Sequence, residues 1–377
     1  MKKTNDTNSK KKSKDKNKNP INRKVKRKTD LNTNTRDLEN NMKTQIKPEI
    51  KHIKNLIFIT SGTTLSLGKF ICIFTSIENI LYLLYSETTS IICYNLIDKK
   101  IMTSIKNAHP DDIRTFSHYL NKKDRKDLLI SISEQNLKVW NFNNFENILS
   151  IEMPNESGKF YSGCFINEND NINILTINKN YSENGTLDFS NSFNVLNLNG
   201  NIIKNIKQVD DITYIDCYYN KKTSKNYIIL GHSNKIRTYD YKNNNIYNTY
   251  NKSEITYKGN MDHMNIIIND NEELIKIIAP NNKFIEIWNF DTGILINKIN
   301  IKENVCTIGL WNDKFLFAGC AGKFKLIDYK EGIIKQIYKG EYYYLFPNII
   351  YLEKLKIPLY GECLLYVEGF NVKLLYR

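Results

Sequence analysis

Seven short segments of this chain share one pattern, alternating apolar residues that end in an aromatic or aliphatic side chain usually followed by Asn or Asp. They are IICYNL (91–96), LKVWNF (137–142), FNVLNL (193–198), IRTYDY (236–241), IEIWNF (285–290), FKLIDY (324–329) and VKLLYR (372–377). Their penultimate anchors, Asn95, Asn141, Asn197, Asp240, Asn289, Asp328 and Tyr376, lie 46, 56, 43, 49, 39 and 48 residues apart. A helical solenoid would carry a 3.6-residue apolar period between anchors, and none is visible. Units of about 40–50 residues with period-2 alternation suit four-stranded blades whose two faces pack against neighbouring blades.

Blade two reads most fully. His109-Pro-Asp-Asp112 leads into IRTFSHYL, followed by DLLISIS, the turn Glu134-Gln-Asn136, LKVWNF and the outer strand ENILSIE. Blade five reads MNIIIN, LIKIIA, FIEIWNF, a turn at Asp291-Thr-Gly293 and ILINKI. The chain stops just after a third-strand segment, and an unpaired strand segment, HIKNLIFIT (52–60), precedes blade one. Pairing the two closes a ring and removes an open sheet edge. The expectation is an all-β, seven-bladed β-propeller of four-stranded antiparallel blades over residues 51–377, with the N-terminal strand closing the last blade.

SISEQNLKVWN (131–141) and IEIWNFDTG (285–293) resemble the WD-repeat family, whose blades close with a Trp-Asp pair. The likeness covers about residues 52–377 and is strongest in blades two and five. It implies structural roles for His109, Ser131, Ser133 and Trp140 in blade two, for His263 and Trp288 in blade five, and for the closing acids Asp240 and Asp328. Both Trp-containing blades carry Asn where the family has the final Asp, so the resemblance leaves Asp112 or Glu134 to supply the acid of blade two's hydrogen-bonded set. It also implies a protein-binding scaffold that turns over no substrate.

Net charge is +14, but residues 1–50 hold 16 Lys plus Arg against 6 Asp plus Glu, leaving 38 against 34 for the remainder. The basic character belongs to a tail nearly free of aromatic side chains. Such a segment cannot bury enough surface to offset backbone ordering at roughly 1–2 kcal/mol per residue, so residues 1–50 are expected to be disordered. Two clusters stand in it, Lys10-Lys11-Lys12 and Arg23-Lys24 with Lys26-Arg27-Lys28. They read as a bipartite import signal, as an arm for nucleic-acid phosphates, or as the chain's general lysine bias.

The seven cysteines are odd in number and none sits at C-x-x-C spacing, which fits isolated thiols in a reducing compartment. No apolar run approaches the roughly 18 residues of a membrane span, and an intracellular location, cytoplasmic or nuclear, is expected.

Sequence motifs for chemistry are weak. Asp291-Thr-Gly293 matches half of an aspartic-protease signature, but that chemistry needs a second carboxylate and no second copy exists. A hairpin turn explains it, with Gly at positive φ. Gly231-His232 resembles the Gly-His pair of WD repeats, yet it lies only eight residues before Asp240, in the second-to-third strand turn. Five His and seven Cys show no linear metal-ligand spacing, and no nucleotide fingerprint appears. No cofactor, metal or small-molecule substrate is expected, and no enzyme.

Two stretches offer contacts to partners. Residues 178–191 lengthen blade three and carry Tyr181, Asp188 and Phe189; the bland alternative is an Asn-rich expansion. Glu341–Phe346 carries Tyr342, Tyr343 and Tyr344, aromatic anchors of the kind enriched at interfaces, or packing for blade seven. The functional expectation is a scaffold that binds other proteins on the face of the loops leading into the first strands. The alternative is a nuclear or nucleolar ribonucleoprotein component whose tail contacts RNA.

Overall fold

The computed structural model describes residues 52–58, 71–153, 158–181, 187–188, 192–208, 210–253, 266–271, 273–321, 323–339, 349–357, 361–368 and 371–376. Among them every regular element is a β-strand, and no helix is long and apolar enough to cross a membrane. The basic clusters of the tail lie outside the described residues.

The strands pair into seven antiparallel sheets; five are built from four consecutive strands, and blade three adds a short fifth strand paired with its second. Blades one to six span residues 71–105, 115–152, 159–207, 212–251, 267–300 and 305–339. Blade seven takes three strands from residues 349–376 and its fourth from His52–Phe58. That closing strand runs antiparallel to Asn371–Tyr376, with His52 opposite Tyr376 and Phe58 opposite Asn371. Blade seven's fourth strand is thus His52–Phe58, and Tyr376 stands where the other six blades carry an Asn or Asp anchor.

The core is a circle of seven seams. One apolar cluster joins blades one and two (Leu84, Phe116, Trp140), the next joins two and three (Ile130, Phe165, Leu196), and the series continues to blades six and seven (Phe317, Tyr366). The last seam packs Leu83 and Tyr85 of blade one against Leu365 and Leu374 of blade seven. Period 2 makes this possible. On the second strand of blade two, Leu129 enters the seam with blade one while Leu128 and Ile130 enter the seam with blade three. Second and third strands are therefore buried on both faces, whereas fourth strands alternate exposed and half-buried residues.

Each of the six third-to-fourth turns is set by the anchor side chain. Asn95 Oδ1 accepts the amides of Ile97 and Asp98, Asp240 Oδ1 those of Lys242 and Asn243, and Asn289 Oδ1 those of Asp291 and Thr292, all at 2.8–3.1 Å. Such a turn needs one side-chain oxygen and no charge, so Asn replaces Asp without loss. The pairing also slips by one residue just before each anchor, at Cys93/Tyr94, Val139/Trp140, Val195/Leu196, Thr238/Tyr239, Ile287/Trp288 and Leu326/Ile327. These bulges sharpen local twist at the outer edge.

Candidate interaction face

Antiparallel strands divide the loops between two faces. Lead-in segments to first strands and second-to-third turns open on one; first-to-second and third-to-fourth turns open on the other. The lead-in face carries most of the buried polar chemistry.

In blade two, five residues form one directional hydrogen-bond chain. Trp140 Nε1–H donates to Ser131 Oγ at 2.7 Å, and His109 Nε2 lies 2.7 Å from the same oxygen. His109 Nδ1 lies 3.1 Å from Ser133 Oγ, whose proton goes to Asp111 Oδ1 at 2.5 Å. Because Ser133 spends its proton on the carboxylate, Nδ1 carries the imidazole proton and Nε2 accepts from Ser131. The tautomer is thus fixed by the acid at the far end. Burial pushes His109 down to about 3, with Lys138 adding to the shift, which keeps the ring neutral. The acid is Asp111, where the family likeness pointed to Asp112 or Glu134. Glu134 is engaged elsewhere, in ion pairs with Arg114 and with Lys159 of blade three.

Among the described residues, blades four and five do not repeat this set. Trp140 is paired with Leu129, two residues before Ser131; Trp288 is paired with Ile277, which puts Ala279 at the equivalent of Ser131. Trp288 is instead held by packing, buried in the seam between blades four and five and edge-on to Tyr250 at 6.4 Å. His263 lies outside the described residues. In blade four the histidine has changed sides: His232 ends the second strand, where blade two has Ser133, and bonds back to the lead-in carbonyl of Asp211 at 3.0 Å.

A second pattern recurs three residues before four of the seven anchors. Lys138 Nζ donates to Ala108 O at 2.7 Å, and Lys325 Nζ donates to Ile301 O at 2.7 Å and to Glu303 at 3.0 Å. Arg237 pairs with Asp210 at 3.0 Å, and the carboxylate of Glu286 accepts the hydroxyl and amide of Ser253. Each of these third-strand side chains clamps the lead-in segment of its own blade. Burial alone would raise Asp210, but Lys235 and Arg237 hold its carboxyl below the ordinary value; Lys323 and Lys325 do the same for Glu303. Beside Glu286, burial pushes Lys252 down to about 7, opposed by that carboxylate. Lys252 also donates to His232 O at 3.2 Å. The four clamps each bond a described residue of a lead-in segment, Ala108, Asp210, Ser253 or Ile301, to the third strand of its blade.

The opposite face holds the anchors. Asp240 pairs with Lys225 at 3.2 Å, and Asp328, fully buried, faces Lys314 at 3.3 Å. Asp291-Thr-Gly293 is the expected turn, with Gly293 at φ +71° and packed against Asn248 and Thr249 of blade four. Between blades one and two, buried Asp127 accepts Ile77 N–H at 2.9 Å and His118 Nε2–H at 2.8 Å. Burial keeps His118 below its ordinary value, the nearby carboxylate notwithstanding. Phe74 stacks on that ring at 3.8 Å. A cavity of 210 Å³ adjoins, lined by Ser76, Tyr82, Cys93, Asp127, Phe142 and Phe145 among others.

Of the residues singled out for partners, Tyr181 ends the second strand of blade three and Asp188 belongs to a two-residue strand paired with it. Part of the inserted stretch is therefore an extension of the sheet. Phe189 and Tyr342–Tyr344 lie outside the described residues.

No family model matches the chain, and no curated protein matches it. Solved structures do match. Two crystal structures of BBS1N in complex with ARL6DN, one soaked with lead and one with mercury, superpose with TM-scores of 0.61 and 0.57. Sequence identities are 10% and 9%, over 86% of this chain and 96% of theirs. At such identity the likeness is one of fold. Together with the closed circle of seams, it makes this chain a seven-bladed β-propeller.

Proposed function

We propose that the chain is a WD-repeat-type scaffold that binds other proteins on its lead-in face and turns over no substrate. One observation carries the reading: third-strand side chains in blades two, four, five and six bond to described residues of the segments that lead into this face. Loops fixed before binding lose little conformational freedom on contact, which favours affinity. The similar propeller BBS1N is found in complex with ARL6DN, so a propeller of this fold accommodates a protein partner. The WD-like set in blade two, Trp140 to Asp111, supports kinship with that family.

The test compares faces. Lys283 and Lys302 are exposed on the lead-in face, Arg125 and Lys242 on the opposite face. Charge reversal at the first pair is expected to remove co-purifying proteins that reversal at the second pair retains. Equal retention by both variants would overturn the choice of face.

A second reading rests on the +10 charge of residues 1–50, read as an arm for RNA phosphates in a nuclear assembly. RNA affinity would then fall steeply with salt and vanish on deletion of those residues. Unchanged association after deletion would end this reading.

A further inference from the structure

We propose that Cys164, Asp216 and Cys217 form a site for a thiophilic divalent cation of the zinc class at the seam between blades three and four. Cys164 stands on the first strand of blade three, Lys159–Glu168, while Asp216 and Cys217 stand on the first strand of blade four, Ile212–Asn220. Their two sulfurs and one carboxylate oxygen all lie within 4.8 Å of one another. Bonds of roughly 2.3 Å to sulfur and 2.0–2.2 Å to oxygen place tetrahedral donors about 3.5–3.8 Å apart. Closing the cluster on an ion therefore needs a contraction of at most about 1 Å, within reach of small side-chain rotations.

The surroundings already aim the donors. Asp216 Oδ2 accepts Tyr214 Oη–H at 2.8 Å and its Oδ1 accepts the Cys217 amide at 2.9 Å. Each carboxylate oxygen has a second lone pair, so this orientation leaves capacity for a metal, as outer-shell bonds do in metal sites. Cys217 Sγ donates to Phe165 O at 2.9 Å, which turns the thiol toward blade three and toward the residue next to Cys164. Cys164 itself is buried among the apolar side chains of the seam.

Donor chemistry selects the ion. Two thiolates favour zinc, cadmium or cobalt over magnesium or calcium, which take oxygen ligands. Binding exchanges two thiol protons for one cation: M²⁺ joins two sulfurs and the carboxylate, two protons pass to solvent, and the site carries a net charge of −1. No oxidation occurs. Three protein donors leave a fourth position for water or for a donor from a bound partner. The ion would add a covalent-strength link between two blades joined there by apolar packing and a few hydrogen bonds, and would raise stability by mass action.

The experiment titrates Co²⁺ into the full, reduced, metal-free chain. A thiolate-to-cobalt charge-transfer band at one equivalent, displaced by Zn²⁺, is expected, with two protons released per ion. C164S and C217S should each abolish the band, D216N should weaken affinity at least tenfold, and C72S should leave it unchanged. Should a variant fail to fold, the wild-type chain still decides: Zn²⁺ must slow alkylation of Cys164 and Cys217 and not of Cys72. A band that survives in both cysteine variants, an absent band, or alkylation of the pair unaffected by Zn²⁺ overturns the site.

Discussion

Trp140 and Asp111 stand at opposite ends of one hydrogen-bond chain, indole to Ser131 to His109 to Ser133 to carboxylate. The chain ties the third strand of blade two, through its second strand, to the segment leading into its first. Every member is buried or half-buried, so each missing link leaves polar groups with no water to replace it.

Ser131→Ala removes the shared centre, stranding both the indole N–H and His109 Nε2. A loss of about 2–4 kcal/mol is expected in urea unfolding, since each stranded buried group costs about 1–3 kcal/mol. Asp111→Asn retains the shape and an acceptor oxygen and should lose about half as much or less. Equal losses would mean that the chain is not directional as described.

Acid should weaken the fold through its buried histidines. His109 is held down to about 3 and His232 to about 4, in both cases chiefly by burial. An unfolded histidine titrates near 6.5. Below that pH the unfolded chain takes up protons that the folded chain refuses, so their stability contribution is full above 6.5 and drains as pH falls toward 3–4. Each contributes a slope of at most about 1.4 kcal/mol per pH unit. Urea midpoints from pH 7 to 4.5 should fall less steeply for His109→Asn than for the wild type; parallel curves would refute this.

Lys325 is buried with its ammonium on Ile301 O and Glu303. Lys325→Met strands the Ile301 carbonyl and leaves Glu303 with Lys323 alone, and about 1–3 kcal/mol should be lost. The segment 301–305 should at the same time exchange its amides faster, as a freed clamp requires. Protection unchanged at 301–305 would show that the lysine does not hold the loop.

The blade count was legible because period-2 alternation and the Asn or Asp anchors are both local, and both are required: one by two-sided burial, the other by the turn. The acid of blade two was not legible. Asp111 and Asp112 are neighbours in sequence, and which one faces Ser133 depends on the lead-in backbone. The clamps were invisible for a related reason. Lys138, Arg237, Glu286 and Lys325 are charged residues inside otherwise apolar third strands, and their partners are loop atoms about 22–33 residues away, which a local pattern does not encode. Cys164 and Cys217 meet only because consecutive first strands stand side by side, which linear ligand spacing does not encode.

The measurement that bears most directly on the closed ring is a cross-link between its two ends. His52 and Tyr376 are opposed in the closing pair of strands. Cysteines placed at both positions should form an intramolecular disulfide under mild oxidation, found by peptide mapping, and raise the unfolding midpoint. Two thiols that remain free, or a bond that forms only between separate molecules, would contradict the closure on which the seven-bladed account stands.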